Sequence, residues 1–318
     1  MSGVKLRGCG HCVPARVVTN DDLARRMDTS DAWISSRTGI RSRHICGKET
    51  QAQLCTEAAR MALERAGVRP EEIGVCLVAT MTPESLMPST ACALQKALGL
   101  AQDTVCFDMN AACTGFVYAL HTAECLLAAS PRRFALVVGG DAMSRIVDWS
   151  DRSTCILFGD GAGAAVVEYR PEWPSVGAVL GCDGDSELLY AAGPGSGKTP
   201  RIAMEGTRVF KFAVETVSRC IAQVLAHTGT AQEDVRWFVL HQANARIIDL
   251  AARRCGIGAD RLYVNLSQYG NTSAASIPMA LSEMQEKGLL YSGDRIVLVG
   301  FGGGLTWGGM LLTYEGRK

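Results

Sequence analysis

Asp108-Met109-Asn110-Ala111-Ala112-Cys113-Thr114-Gly115-Phe116 is the stretch on which the reading of this chain turns. Just before it, 104–109 has the composition of a strand. Just after it, Val117, Leu120, Ala123, Leu126 and Leu127 recur at helical spacing. The pattern predicts strand, tight turn, helix, with Cys113 delivered to the helix's first turn. A thiol there meets unsatisfied backbone N–H groups and the positive end of the helix dipole, which favour thiolate and so a nucleophile. A lone cysteine is more often a buried structural residue, so the reading depends on the partners the rest of the chain supplies.

Outward from this stretch, strands alternate with amphipathic helices in both directions. Upstream, a strand is expected over 4–12, short helices after Asn20 and after Thr29-Ser30-Asp31, an amphipathic helix over 49–67 closed by Gly67, a strand over 73–80 and a helix over 88–98. Downstream, Phe134 to Gly139 is a continuous apolar run, as in a strand buried on both faces, and Phe158-Gly-Asp-Gly-Ala-Gly163 leads into another. The pattern breaks around Pro171 to Pro174 and a similar order restarts. It gives strands near 176–180, 235–240, 295–301 and 305–313, and helices over 205–227, 243–255 and 272–287. This predicts an α/β protein with an internal duplication.

A chain of 318 residues exceeds the size at which one simple core stops growing, and 47% hydrophobic with 20% charged residues fits a globular protein. No apolar run nears the ~20 residues that span a bilayer, and Met1 to Cys9 lacks the apolar stretch of a secretory signal. No membrane association and a cytoplasmic location are therefore expected. Thirteen cysteines scattered through periodic segments read as reduced core residues. Zero net charge gives no support for nucleic-acid binding, although Arg208, Lys211, Arg246, Arg253, Arg254 and Arg261 cluster late in the chain.

Three motif-like stretches carry less than they promise. Cys9-Gly-His-Cys12 has redox spacing but sits in a strand followed by Val13-Pro14, without the helix such chemistry needs. Ala192-Gly-Pro-Gly-Ser-Gly197-Lys198-Thr199 approaches a phosphate-binding loop, yet Pro200 and Gly206 interrupt the required helix. Asp183-Gly-Asp185 lacks the other ligands of a calcium loop, and no His/Cys cluster has zinc spacing, so no metal is expected. Trp33 and Arg37, one helical turn apart, share a face and could stack on a flat ligand, or form a plain surface contact.

Three further segments end apolar strands or open glycine-rich turns, where α/β proteins place reactive groups. They are Val239-Leu-His241-Gln-Ala-Asn244-Ala-Arg246, Tyr269-Gly-Asn271-Thr-Ser-Ala-Ala-Ser276 and Gly300-Phe-Gly-Gly-Gly304-Leu-Thr-Trp307. His241 could project an imidazole into a site, Asn271 offers an uncharged donor, and glycines 302–304 allow close backbone approach to an oxyanion. Singly, His241 reads as a core histidine and Asn271 as a helix cap. With Cys113 they form a constellation.

These motifs, with Ala111-Ala-Cys113-Thr-Gly and Phe158-Gly-Asp-Gly-Ala-Gly in the same order, resemble the β-ketoacyl-acyl carrier protein synthase III family of thiolase-fold condensing enzymes, from first strand to last. The resemblance implies a five-layer αβαβα fold of two similar halves, residues 1–172 with the nucleophile and 173–318 with His241 and Asn271, in a homodimer without a permanently bound cofactor. It implies that Cys113 takes an acyl group from acyl-coenzyme A, that His241 and Asn271 bind the thioester oxygen of malonyl-acyl carrier protein as carbon dioxide leaves, and that the N–H groups of Cys113 and Gly303 form an oxyanion hole. It places the coenzyme A adenine between Trp33 and Arg152, with Thr29, Arg37, Gly206 and Asn244 along its path. Lys211, Arg246, Arg253 and Arg254 fall on a docking face for the acidic carrier protein. Met87 stands where an aromatic residue of the dimer partner commonly closes the acyl pocket, which suggests tolerance of a starter other than acetyl, such as a longer or branched one.

The chemistry fits the residues. Acylation needs a sulfur nucleophile, whereas decarboxylation needs neutral donors aimed at an oxygen that gains charge only in the transition state. Thiolases, similar in fold, carry a second reactive Cys in the C-terminal glycine loop, which here is Gly300-Phe-Gly-Gly-Gly304. Elongating synthases use a second His where Asn271 stands. Hydroxymethylglutaryl-coenzyme A synthases need a Glu near Met81, for which Glu84 is the nearest candidate. A starter-unit enzyme of secondary metabolism with the same trio is the alternative. A silent binding subunit would usually have lost Cys113 or His241.

Overall fold

Runs of β-branched and small apolar residues form a nine-stranded sheet system in this computed structural model, which describes residues 2–316. In chain order the strands are β1 (Ser2–Cys12), β2 (Ile73–Ala79), β3 (Val105–Met109), β4 (Phe134–Ala142), β5 (Asp160–Pro174), β6 (Val179–Cys182), β7 (Trp237–Leu240), β8 (Arg295–Gly302) and β9 (Thr306–Tyr314). They lie in the order β7-β8-β9-β1-β5-β4-β2-β3, with β6 also on β9. The principal helices are α1 (Asp31–Thr38), α2 (Gln51–Ala66), α3 (Thr90–Leu98), α4 (Gly115–Leu127), α5 (Gly206–Thr228), α6 (Ala245–Arg254) and α7 (Ser276–Glu286).

The duplication is written in the strand pairing. In the first half, β2 and β4 are parallel, β4 and β5 antiparallel, and β5 and β1 antiparallel. In the second, β7 and β8 are parallel, β8 and β9 antiparallel, and β9 and β6 antiparallel. Within the sheet the two halves join where Lys5 and Leu6 pair with Thr313 and Tyr314. β3, parallel to β2 at the outer edge, has no counterpart among the described strands of the second half.

Alternation along the strands produces the layers. Val75 and Leu77 of β2 and Ile296 and Leu298 of β8 face inward, onto Phe116, Leu120 and Ala123 of α4 and Ile277, Leu281 and Met284 of α7. Their neighbours Cys76 and Val78 turn outward to Leu54, Ala58 and Ala62 of α2, and Val297 and Val299 turn outward to Val214, Val217 and Ile221 of α5. The result is helix, sheet, paired helices, sheet, helix. Burying side chains the size of Phe116 and Leu120 contributes roughly 1.5–3 kcal/mol each, so the central pair α4 and α7 is the least mobile place from which to hang a site.

Most predicted elements form within a few residues of their expected limits, and the caps explain the ends. α2 starts at a capping box between Thr50 and Gln53 and stops at Gly67, whose φ is 65°. Three features differ. β5 continues through the expected break to Pro174, two residues past the expected boundary of the halves, because its end pairs with the start of β1. An antiparallel pair of strands, 17–19 with 42–44, closes across two intervening helices and is too short, three residues per strand, to leave a pattern in the sequence. Leu189–Ala191, a poor buried strand by composition, pairs instead with Ile202–Met204 in a small hairpin. The glycine-rich loop between them is a turn at 194–196 with Gly197 left-handed and Lys198 exposed, and it runs into a strand rather than directly into a helix.

Candidate active site

Cys113 lies on a one-turn segment, Ala112–Thr114, between the end of β3 and the start of α4. Ser273, on the equivalent turn Ser273–Ala275 ahead of α7, mirrors Ala112: both have positive φ, 47° and 53°. The duplicated architecture thus brings two strained turns together beneath the two central helices, one with the sulfur and one following Asn271. Glycine makes the approach possible. A Cβ on Gly302 would lie 2.7 Å from the Cys113 backbone nitrogen, so the glycine loop after β8 rests directly on the nucleophile turn.

Asn271 is pinned by its own backbone. Its N–H donates to the Leu157 carbonyl at 2.8 Å and its carbonyl accepts from Gly159 N–H at 3.0 Å. Gly159 is required because a Cβ there would sit 2.2 Å from the Tyr269 carbonyl oxygen. The Asn271 Oδ1 accepts from the Ser273 N–H at 2.9 Å, which leaves Nδ2 as the group free to donate. Asn271 thus caps a turn with its oxygen while its amide nitrogen carries no hydrogen bond to the described residues.

His241 follows β7 and is held by its N–H to the Val299 carbonyl, 2.8 Å. Its ring meets Phe301 edge-on with centroids 5.1 Å apart, Nδ1 lies 2.6 Å from the Ser276 hydroxyl, and Nε2 is buried without a protein partner. Burial pushes its pKa down to about 3, so the imidazole is neutral at pH 7. Burial pushes the Cys113 thiol up to about 12; the Ser273 hydroxyl eases its ionisation and the Asp141 carboxylate opposes it. Loss of water thus opposes the thiolate that the helix end is expected to favour. Asp141 itself is fully buried, with Oδ1 accepting from Thr80 Oγ1, Met81 N–H and Thr82 Oγ1 at 3.0, 2.8 and 3.0 Å.

Cys113, His241, Asn271, Gly302 and Gly303 line one cavity of about 440 Å³, and Trp33, Arg37, Gly206, Asn244 and Arg246 line it too. Its apolar wall was not foreseen. Met81, Met143, Ile156, Leu189, and Ile202 with Met204 come from five separate segments with no shared pattern in sequence. Arg37 and Arg152 both stack on Trp33, at 4.4 and 4.5 Å from the ring centroid. Asn244 caps α6 through Arg246 N–H and donates to the Arg37 carbonyl at 3.1 Å, tying the two sides of the opening together. Thr29 is not among the lining residues, although its hydroxyl is buried without a partner.

Lys211, Arg246 and Arg254 are exposed on α5 and α6, whereas Arg253, also exposed, is ion-paired to Asp249 at 2.8 Å. Met87 lies outside its own chain's cavity, on a loop where it is 87% exposed and Leu86 83%. Glu84 is spent on structure: its carboxylate accepts the Gln51 and Ala52 N–H groups at the start of α2, at 2.6 and 3.1 Å, and pairs with Arg145. Cys9 and Cys12, three residues apart on β1, point to opposite faces of the sheet, so they are not a dithiol pair. Among the described residues no group of three or more His, Cys, Asp or Glu is placed to hold a metal ion, and no helix is long and apolar enough to cross a membrane.

A buried sulfur and a carboxamide at the turns that open the paired central helices, with a neutral imidazole from the end of β7, make a thiolase-like fold into a condensing acyltransferase. Two family models match the chain: 3-oxoacyl-[acyl-carrier-protein] synthase III over residues 107–184 and the C-terminal part of the same enzyme over 225–314. The β-ketoacyl-[acyl-carrier-protein] synthase III of Clostridium acetobutylicum is 45% identical over 99% of both chains. The crystal structure of 3-oxoacyl-[acyl-carrier-protein] synthase III from Aquifex aeolicus superposes with a TM-score of 0.92 at 43% identity, covering 98% of this chain and 100% of that one. The priming β-ketosynthase of the R1128 polyketide pathway gives 0.92 at 37% identity, covering 98% and 96%. The chain belongs to the 3-oxoacyl-[acyl-carrier-protein] synthase III family.

Proposed function

We propose that the protein joins an acyl-coenzyme A to malonyl-acyl carrier protein with loss of carbon dioxide, giving a 3-oxoacyl-acyl carrier protein and coenzyme A and so starting fatty acid synthesis. The observation that carries this is the meeting of Cys113, His241 and Asn271 on one cavity, with two hydrogen-bond donors not engaged by protein. In the first half-reaction the Cys113 sulfur adds to the thioester carbonyl, the carbon–sulfur bond to coenzyme A breaks, and the thiol proton ends on the coenzyme A sulfur. The N–H groups of Cys113 and Gly303 receive the oxyanion. In the second, the electrons of the malonyl carbon–carboxylate bond move into an enolate whose oxygen is held by His241 Nε2 and Asn271 Nδ2. The enolate carbon attacks the acyl-Cys113 carbonyl, and the sulfur leaves and regains a proton. No base is needed to create the carbanion, which suits an imidazole that resists charge.

Trp33 with Arg37 and Arg152 receives the coenzyme A adenine. Arg152 now lies 4.5 Å from the Trp33 ring, about one stacking distance, so it swings away to admit a base between them. Gly206 and Asn244 line the route inward, and Thr29, outside the lining residues, is assigned to the same path for its unpartnered hydroxyl. Lys211, Arg246, Arg253 and Arg254 present positive charge to the acidic carrier protein. Acyl-coenzyme A is substrate; no resident cofactor takes part, and the location is cytoplasmic. The likeness to a polyketide priming synthase favours a second reading, a starter-unit enzyme of secondary metabolism with the same half-reactions.

Incubation with a panel of acyl-coenzyme A donors, followed by mass spectrometry of the Cys113 peptide and a ketoacyl-product assay with malonyl-acyl carrier protein, tests both readings. An adduct on Cys113 followed by carbon dioxide release supports the condensation. An adduct without carbon dioxide release would favour simple acyl transfer, and no adduct at all would end the proposal.

A further inference from the structure

His241 has two ring nitrogens, and its chemistry in the second half-reaction depends on which one carries the hydrogen. Nδ1 lies 2.6 Å from Ser276 Oγ, and the same oxygen accepts the Gln242 backbone N–H at 3.3 Å. Among the described residues the Ser276 hydroxyl has no other hydrogen-bond partner, and the residue is 2% exposed. Two arrangements can be written. If Nδ1 carried the hydrogen and donated to Ser276, the oxygen would accept two N–H groups and its own hydrogen would be buried with nothing to receive it, a costly outcome. If the hydroxyl donates to a bare Nδ1, the Gln242 N–H, the hydroxyl hydrogen and the Nδ1 lone pair are all satisfied at once.

We infer that Ser276 is a positioning residue: its hydroxyl donates to Nδ1 of His241 and holds the imidazole as the tautomer with its hydrogen on Nε2, the nitrogen left unpartnered on a ring that lines the cavity. This rests on the proposed condensation for its purpose, though not for its geometry. Ser276 is the first residue of α7, the central helix packed between the two sheets, so the donor is held by one of the most rigid parts of the fold. The ring has little tendency to take a second proton in its buried setting, so one tautomer persists through the neutral range. Asn271 is oriented by the same logic, its Oδ1 occupied by the Ser273 N–H and its Nδ2 left to donate. The two side chains therefore offer an N–H each, and both orientations are set by serines of one short segment, 273–276. A consequence follows for the first half-reaction. Nε2 bearing a hydrogen has no lone pair with which to take the Cys113 proton, so that proton passes to the departing coenzyme A sulfur without resting on His241.

The full-length protein labelled with 15N-histidine tests the inference, with the His241 signals assigned by their loss in His241→Gln. In the wild type Nδ1 is expected to resonate as an unprotonated nitrogen and Nε2 as a protonated one. Ser276→Ala should mix the two tautomers, while Ser276→Thr, which keeps the hydroxyl, should restore the wild-type pattern. In parallel, Ser276→Ala should lower carbon dioxide release from malonyl-acyl carrier protein by about ten- to a hundredfold, approaching the effect of losing one oxyanion donor, with Cys113 acylation unchanged. A wild-type spectrum with Nδ1 protonated, or a Ser276→Ala spectrum identical to wild type, would overturn the assignment. Should wild-type Cys113 accept no acyl group, the proposed function fails while the nitrogen shifts still decide the tautomer.

Discussion

The Cys113 sulfur sits where two opposing influences are separated by scale. Its place ahead of α4 is local and legible in nine residues of sequence; the burial that pushes its pKa up to about 12 depends also on distant chain, such as the Gly302 loop that rests on its turn. The rate of Cys113 alkylation by iodoacetamide, followed on its own peptide, should therefore climb with pH through 9 and beyond. A plateau near 8.5, the ordinary thiol value, would contradict the burial argument. His241 carries the complementary signature. Its folded pKa of about 3 lies below the unfolded value near 6.5, so the unfolded chain binds the extra proton first. Its stabilising contribution is complete above pH 6.5 and drains away as pH falls toward 3, by at most about 1.4 kcal/mol per pH unit from this group. Denaturant titrations of wild type and His241→Gln across that window should diverge, the variant losing less stability in acid; parallel curves would refute the assignment. The trio was nameable from motifs, but the Ser276 contact was not, because a hydrogen bond spanning 35 residues leaves no periodic trace.

Elements were legible where their own residues decide them. α2 declares itself by a capping box, an apolar stripe and Gly67, and β4 by an unbroken apolar run. What sequence could not supply was the meeting of elements: the turn before α4, the turn before α7 and the loop after β8 converge only because the two halves repeat the same strand order. Gly302 is the test of that convergence. Gly302→Ala places a methyl 2.7 Å from the Cys113 nitrogen and 3.3 Å from its Cα, both backbone atoms that cannot turn aside. A loss of about 1–3 kcal/mol in stability is expected from overpacking of this kind, together with a collapse of Cys113 acylation. A variant that acylates at the wild-type rate would show that the loop does not position the nucleophile.

At the scale of the molecule, the main sheets of the two halves differ at one edge: β3 extends the first and has no equivalent among the described strands of the second. It lies at the end of the strand order with β2 as its one neighbour among the described strands, and Val105 at its start is 47% exposed. An unpaired strand edge recruits another chain unless it is covered. The neighbouring loop adds Leu86 and Met87, two large apolar side chains turned to solvent. We propose that a second copy covers both, β3 pairing antiparallel with its counterpart across a two-fold axis, as a self-complementary dimer requires. Met87, outside its own cavity, would then close the partner's acyl chamber, and its flexible thioether would admit starters longer or more branched than acetyl. Sedimentation should give a dimer for the wild type, with Leu86→Asp shifting the equilibrium toward monomer. Met87→Ala, in a dimer, should widen the range of acyl-coenzyme A chains that acylate Cys113 while leaving the interaction at Trp33 unchanged. A wild-type monomer would defeat the edge-pairing argument outright, and a dimer whose donor preference ignores residue 87 would leave the pairing intact but remove Met87 from the acyl pocket.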